Sequence, residues 1–395
     1  MKALVAMSGG VDSSVAAYLL KKQGYEVIGL SFELWDQRDI KNLNVCCSVE
    51  TINIAKEVAK KLDIEHYTID VRDAFYRYII EEFCNSYISG ITPNPCILCN
   101  KFIKFKFLIK QAKELGADVI ATGHYARVKK TEDEKMRKWE DKKTSISQLL
   151  NFSSSKTQDS SLVTCLPSRQ ARHLLLKGVD PKKDQSYVLY LMTQEELSKT
   201  IFPLGELTKD KTRNIASELG LASAIRPESQ EICFVGNKNY IDFIRSFSPE
   251  ALKPGPIINT GGKVIGEHKG VAFYTIGQRK RLGISTLSPY YVIDIDKQKN
   301  TIIVGSKEDA MKKTFIVKGL NYISIESITG QLKVTAKIRS MMKESPATII
   351  PEENQRVIVE FNHPQWAPAP GQSAVFYNGD IVIGGGIIES VSPLF

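Results

Sequence analysis

The sequence predicts an α/β fold: a doubly wound parallel sheet, then a small linking domain and a C-terminal β-barrel. Three observations carry this. Apolar strands alternate with helical patterns over about the first 125 residues, the string Ser8-Gly9-Gly10 directly follows the first strand, and from about Gly255 short alternating strands take over. Strands that alternate with helices form parallel sheets covered on both faces, whereas closely spaced strands with turn residues form sandwiches or barrels. A chain of 395 residues, 43% hydrophobic and 25% charged, can fill cores in two or three domains of ~150 residues each. It is neither a disordered chain, nor collagen-like, nor a small disulfide scaffold.

The elements follow in order. Lys2–Met7 is an apolar strand, and Val11 to Gln23 is a helix that Gly24 caps. Glu26–Leu34 is the second strand. Ser48–Leu62 is a helix, with Ile52, Ala55, Val58, Ala59 and Leu62 on one stripe. Ile64–Ile69 is a strand, Ala74–Ile88 a helix, Lys101–Leu115 a basic helix and Asp118–Thr122 a strand. Residues 129–172 break the pattern, being dense in charge and then rich in serine, and are expected to be a disordered insertion. Order resumes at Leu174, and Lys209–Leu219 is helical. Beyond Gly255, Lys333–Arg339 and Arg356–Phe361 alternate, and Gly384-Gly385-Gly386 is expected to punctuate the strands. Asn378-Gly379 between Ala374–Tyr377 and Ile381–Ile383 signals a hairpin.

The net charge of +9 (53 − 44) favours an anionic partner such as nucleic acid. No run of ~18 apolar residues predicts a membrane span. The first residues reach Ser8-Gly9-Gly10 before a secretory apolar region fits, so a cytoplasmic protein is expected. Seven cysteines are too few for a disulfide framework in a chain this long.

The sharpest motif is Ser8-Gly9-Gly10-Val11-Asp12-Ser13-Ser14, where a strand turns into a helix. Glycines let backbone approach a phosphate, the helix start supplies N–H groups and positive dipole, and Asp12 is a candidate Mg²⁺ ligand. The lysine of a kinase-type phosphate loop is absent. The second motif is Thr92-Pro93-Asn94-Pro95-Cys96-Ile97-Leu98-Cys99, with Cys233 far away in sequence. Cys99, just before a helix expected to start at Lys101 and carry Lys104, Lys106 and Lys110, is expected to hold more thiolate than usual. A zinc site is the alternative, but it needs four ligands and no second Cys-x-x-Cys occurs. Inert buried cysteines are another, and Cys46, Cys47 and Cys84 are read as packing. Cys165 is given no role.

Ser8–Ser14 resembles the Ser-Gly-Gly-x-Asp-Ser loop of N-type ATP pyrophosphatases, which cut ATP between the α- and β-phosphates and adenylate a carbonyl oxygen. With that loop stand Asn94-Pro95, Cys99, Ala121-Thr122-Gly123-His124-Tyr125-Ala126-Arg127, Lys183-Asp184-Gln185-Ser186-Tyr187 and Cys233. Tyr274-Thr275-Ile276-Gly277-Gln278-Arg279 and Pro370-Gly371-Gln372-Ser373-Ala374-Val375 complete the set. On these residues the chain resembles the tRNA-specific 2-thiouridylase family, whose members replace the 2-oxygen of the tRNA wobble uridine by sulfur.

The resemblance implies an ATP pyrophosphatase domain over 1–235, a central tRNA-binding or linking domain over 236–310 and a barrel over 311–395. It implies ATP contacts at Ala6, Met7, Ser8, Gly9, Gly10, Val11, Asp12, Ser13, Phe32 (often Met in the family) and Gly123. Cys99 matches the catalytic cysteine and Cys233 the persulfide carrier. Asn94, Pro95 and Cys96 match the segment that meets the target base. His124, Lys183, Asp184, Gln185, Arg339, Ser340 and Gln372 match tRNA contacts, although His124 alone also reads as a structural histidine and Lys183-Asp184-Gln185 as a solvated turn. Many members carry Asp where Cys96 stands, so Cys96, Cys99 and Cys233 also suit a [4Fe–4S] cluster. ATP, Mg²⁺, tRNA and a persulfide-donating sulfur carrier or cysteine desulfurase are the expected reactants and partners. An ATP pyrophosphatase for a small metabolite is the rival reading.

Overall fold

The computed structural model describes residues 1–34, 49–131, 173–225, 232–235, 240–248, 252–284 and 288–391. Cys46, Cys47 and Cys165 lie outside them, as does the predicted insertion beyond Thr131. At the centre, β1 (Lys2–Ala6) pairs in parallel with β2 (Glu26–Glu33) on one side and β4 (Val119–Ala121) on the other. Outside these lie β3 (Glu65–Asp70) and β7 (Thr200–Ile201), giving the order β3-β2-β1-β4-β7. Ala3 and Val5 pack into one apolar cluster, and Leu4 into the other, so β1 is covered on both faces.

Helix α1 (Val11–Lys22) carries the chain from β1 to β2, and α2 (Val49–Lys61) leads to β3. The chain then crosses to β4 on the far side of β1. The C-terminal end of β1 is thus the switch point where an open α/β sheet leaves a crevice for ligands.

The helix expected over 74–88 starts earlier, as Arg72–Phe75, and runs through a π turn, Tyr76–Ile80, into Glu81–Ile88; together they form α3. Cys84 is fully buried there, and burial pushes its thiol up to about 12. A larger difference concerns the cysteine motif. Its segment is helical from Pro95, through Pro95–Cys99, a π stretch Asn100–Phe105 and Lys106–Glu114 (together α4). Pro95 stands at the helix start, where its missing N–H costs no hydrogen bond. Cys99 is therefore inside a helix rather than ahead of one, and it is Cys96 that sits in the first turn.

Beyond the sheet, α5 (Gln194–Lys199) precedes β7, α6 (Lys209–Glu218) packs on α1, and α7 (Tyr240–Phe247) joins the main core. A four-stranded sheet follows, β8 (Gly255–Asn259), β9 (Val264–His268), β10 (Tyr291–Asp296) and β11 (Thr301–Gly305), in the order β10-β11-β8-β9. The last strands are β12 (Met311–Tyr322), β13 (Leu332–Lys337), β14 (Ser345–Glu352), β15 (Arg356–Trp366), β16 (Ser373–Asn378) and β17 (Ile381–Val391). They pair in the order β12-β15-β14-β13-β16-β17, and a β12–β17 pairing closes them into a barrel. Asn378-Gly379 makes the predicted hairpin turn. Gly384–Gly386, however, lie inside β17 and do not interrupt it. A Cβ on any of the three would press on backbone of β12 or β16. Bare backbone there lets β17 pair with both neighbours.

One pairing joins the two ends of the chain. The hairpin of β5 (Ala126–Lys130) and β6 (His173–Lys177), which flanks residues 132–172, extends the barrel sheet through β17, with Ile381 opposite Leu176.

Candidate active site

The loop after β1 is held open by its own side chains. The Ser8 N–H donates to Ser13 Oγ at 3.1 Å, and the Ser13 and Ser14 hydroxyls donate to the Gly10 carbonyl at 3.1 and 2.9 Å. Ser31 Oγ donates to the Met7 carbonyl at 2.7 Å and meets His66 Nε2 at 2.9 Å, tying the loop to β2. Gly10 caps α1 in extended conformation without a side-chain cap bond, so the first-turn N–H groups of Val11 and Asp12 have no partner within the helix. Gly9 has φ +72°, and a Cβ on it would run into the Thr51 carbonyl of α2. Gly9→Ala is therefore expected to cost ~2 kcal/mol of stability and to weaken ATP binding. A thermal melt with and without ATP checks this, and an unchanged melt would mean the loop does not seat on α2.

The loop after β4 closes the crevice. A Cβ on Gly123 would stand 2.8 Å from both the Asp12 carbonyl carbon and the Ser13 nitrogen. Tyr125 donates its hydroxyl to Asp12 Oδ1 at 2.8 Å. Lys209 of α6 completes the constellation, with its Nζ 2.7 and 2.8 Å from the two Asp12 oxygens. In the sequence Tyr125 stands only within the Ala121–Arg127 string and Lys209 only as a helix start, neither with a site role. One local signal existed: Lys209 opens a Thr208-capped helix, the end where the helix dipole disfavours a cation.

His124 bonds Thr122 Oγ1 through Nδ1 at 2.7 Å and stacks on Phe105. Burial, and then the Lys104 charge, hold its pKa well below the usual range. The Tyr125 N–H donates to Gln185 Oε1 and the Gln185 N–H donates to the Tyr125 carbonyl, each at 2.9 Å. The Asp184 carboxylate accepts from the N–H groups of Gly178 and Ser186 and from Ser186 Oγ. These two residues brace the turn after β6, and Lys183 beside them is half-buried.

The cysteine loop is clamped by the barrel. The Thr92 N–H donates to the Pro370 carbonyl at 3.0 Å, and Gln372 Nε2 donates to the Thr92 and Pro93 carbonyls at 3.0 and 3.1 Å. The Tyr187 phenol donates to the Ser373 carbonyl at 2.8 Å, with Asn94 beside it. Arg339 bridges the middle sheet and the barrel by donating to the Ile276 and Ala367 carbonyls at 3.0 and 2.8 Å, and Ser340 beside it is exposed. Cys99 and Phe32 are buried in one apolar cluster, and Cys233 packs against that cluster. Phe234 anchors the Cys233 turn between Phe75 and Phe83, at ring distances of 5.7 and 5.1 Å. Cys96 is exposed. Among the described residues no three His, Cys, Asp or Glu side chains converge as a group that could hold a metal ion.

Comparison with known proteins agrees with this organisation. Models described as a tRNA methyl transferase HUP domain, a tRNA methyl transferase PRC-barrel domain and an aminomethyltransferase beta-barrel domain match residues 1–237, 241–306 and 312–388. The chain is 45% identical to "tRNA-specific 2-thiouridylase MnmA 2" of Caldanaerobacter subterraneus subsp. tengcongensis, over 98% of both chains. It is 43% identical to "tRNA-specific 2-thiouridylase MnmA" of Clostridium perfringens, over 99% of both. Among solved structures, an NMN synthetase from Francisella tularensis aligns at 14% identity and TM-score 0.30, covering 64% of this chain and 79% of that one, too weak a likeness to carry an argument. Matched end to end at this level of identity, the chain belongs to the tRNA-specific 2-thiouridylase family.

Proposed function

We propose that this chain is an ATP-dependent sulfurtransferase that thiolates the 2-position of the wobble uridine in tRNA. The observation that carries it is the joining of two sites in one body. A phosphate loop lies at the sheet's switch point, and Cys99 lies in, and Cys233 against, the apolar cluster that also holds Phe32. An ATP pyrophosphatase for a small metabolite would use the loop and leave the cysteine pair and the barrel clamp idle. No group of three His, Cys, Asp or Glu side chains that could hold a metal ion converges among the described residues.

The first-turn N–H groups of α1 and the Ser8 and Ser13 hydroxyls receive the β- and γ-phosphates. The uridine 2-oxygen attacks the α-phosphorus, the bond to the β-phosphate bridge breaks, and pyrophosphate leaves. Asp12, with phosphate oxygens as further ligands, suits Mg²⁺, which when bound neutralises charge on the leaving group. The adenylated base is an electrophile at C2, because AMP leaves far more readily than oxide.

Cys233 accepts sulfur from a donor protein as a persulfide. Cys99 attacks its inner sulfur, the persulfide bond breaks, and a Cys99–Cys233 disulfide forms. The released sulfide bonds C2, and AMP departs with the old 2-oxygen. The two electrons come from the thiols, so a thiol reductant must reopen the disulfide before the next turnover. The clamp of Gln372 and Pro370 on Thr92 and Pro93 fixes the helix that carries Cys99.

The test is pyrophosphate release that depends on tRNA: release without tRNA, or none with it, rejects the reading. Salt gives a second check. A basic chain gripping several phosphates must release counterions, so tRNA affinity is expected to fall about 10³-fold between ~50 and ~200 mM salt. A flat response in a filter-binding titration would show that the +9 charge does not serve tRNA.

A further inference from the structure

Lys209 is nearly fully buried, at 7% exposure, which is rare for a lysine without a strong partner. It also stands in the first helical turn of α6, where the dipole opposes a cation. Fold stability therefore does not explain its place. Its partner does: the ammonium lies 2.7 and 2.8 Å from the two oxygens of Asp12, in the first turn of the helix that receives phosphate. A bare carboxylate there would repel a triphosphate, and the ammonium offsets that charge. The Lys209 backbone N–H is fixed on Asp180 Oδ2 at 2.9 Å, while the flexible four-carbon stem leaves the tip able to re-aim.

We propose that Lys209 is a catalytic residue for adenylation, whose ammonium passes from Asp12 to the β- and γ-phosphate oxygens and carries the charge of the departing pyrophosphate. The proposal rests on the nucleotide reading given above. As the bond from the uridine oxygen to the α-phosphorus forms, the electron pair of the breaking bond goes to pyrophosphate. Lys209 stays protonated throughout and supplies hydrogen bonds and charge, not a proton.

The test reads binding of inorganic pyrophosphate in EDTA by calorimetry, with AMP as control. Asp12→Asn removes the carboxylate and releases the ammonium, so it is expected to bind pyrophosphate ~10-fold tighter than the wild-type chain. Asp12→Asn/Lys209→Met, which removes both charges and leaves neither unbalanced in the fold, is expected to lose ~10-fold or more of that affinity. AMP binding should stay within about twofold in all three chains. In parallel, Lys209→Met should slow tRNA-dependent pyrophosphate release ~10²-fold or more, with Lys209→Arg restoring much of it. Equal pyrophosphate affinity in Asp12→Asn and the double variant would overturn the proposal alone. A wild-type chain that binds neither AMP nor pyrophosphate would overturn the nucleotide reading, and this proposal with it.

Discussion

Cys99→Ser and Cys233→Ser are each expected to lose thiolation by ~10³-fold or more, while ATP and tRNA affinities stay within about twofold. Neither thiol belongs to the phosphate loop, Cys99 lying in the large apolar cluster and Cys233 against it, so removing one sulfur leaves the loop's own groups in place. A hydroxyl buried at position 99 costs ~1–3 kcal/mol if it finds no partner, so Cys99→Ala serves beside it to separate chemistry from stability. The measurement is 2-thiouridine in digested tRNA by mass spectrometry, with pyrophosphate release followed in the same reactions. Adenylation should survive in both serine variants. Normal thiouridine formation in either would remove that cysteine from the sulfur relay.

Asp12→Ala acts at the other step. It is expected to cut tRNA-dependent pyrophosphate release by ~10²–10³-fold, because the phosphate loop then loses the carboxylate that suits Mg²⁺. The Cys233 persulfide should still load from a sulfur donor in this variant, since its turn is anchored by Phe75 and Phe83 rather than by the loop. Retained pyrophosphate release would place Asp12 outside the chemistry.

The parallel sheet was legible because β1 and its neighbours are short apolar runs separated by amphipathic helices, and both signals are local. The phosphate loop was legible for the same reason: all its parts lie within seven consecutive residues. Lys209 was not, since its partner is 197 positions away and only the folded crossing of α6 over α1 brings them together. The clamp of Gln372 on Thr92 and Pro93 spans about three-quarters of the chain and leaves no local trace. The helical state of Pro95–Cys99 was hidden by two prolines that look like loop residues until one occupies a helix start. Gly384–Gly386 misled for a related reason: glycines that signal a break along one strand can be the condition for pairing on both of its edges.

The central claim is that the uridine 2-oxygen is adenylated on this chain and then replaced by sulfur. Its most direct measurement uses tRNA carrying ¹⁸O at the 2-position of the wobble uridine, with ATP and a persulfide donor. The account predicts one ¹⁸O in the phosphate of AMP for each 2-thiouridine formed, and none in pyrophosphate. Thiouridine formed with unlabelled AMP, or with the label in pyrophosphate, would contradict it.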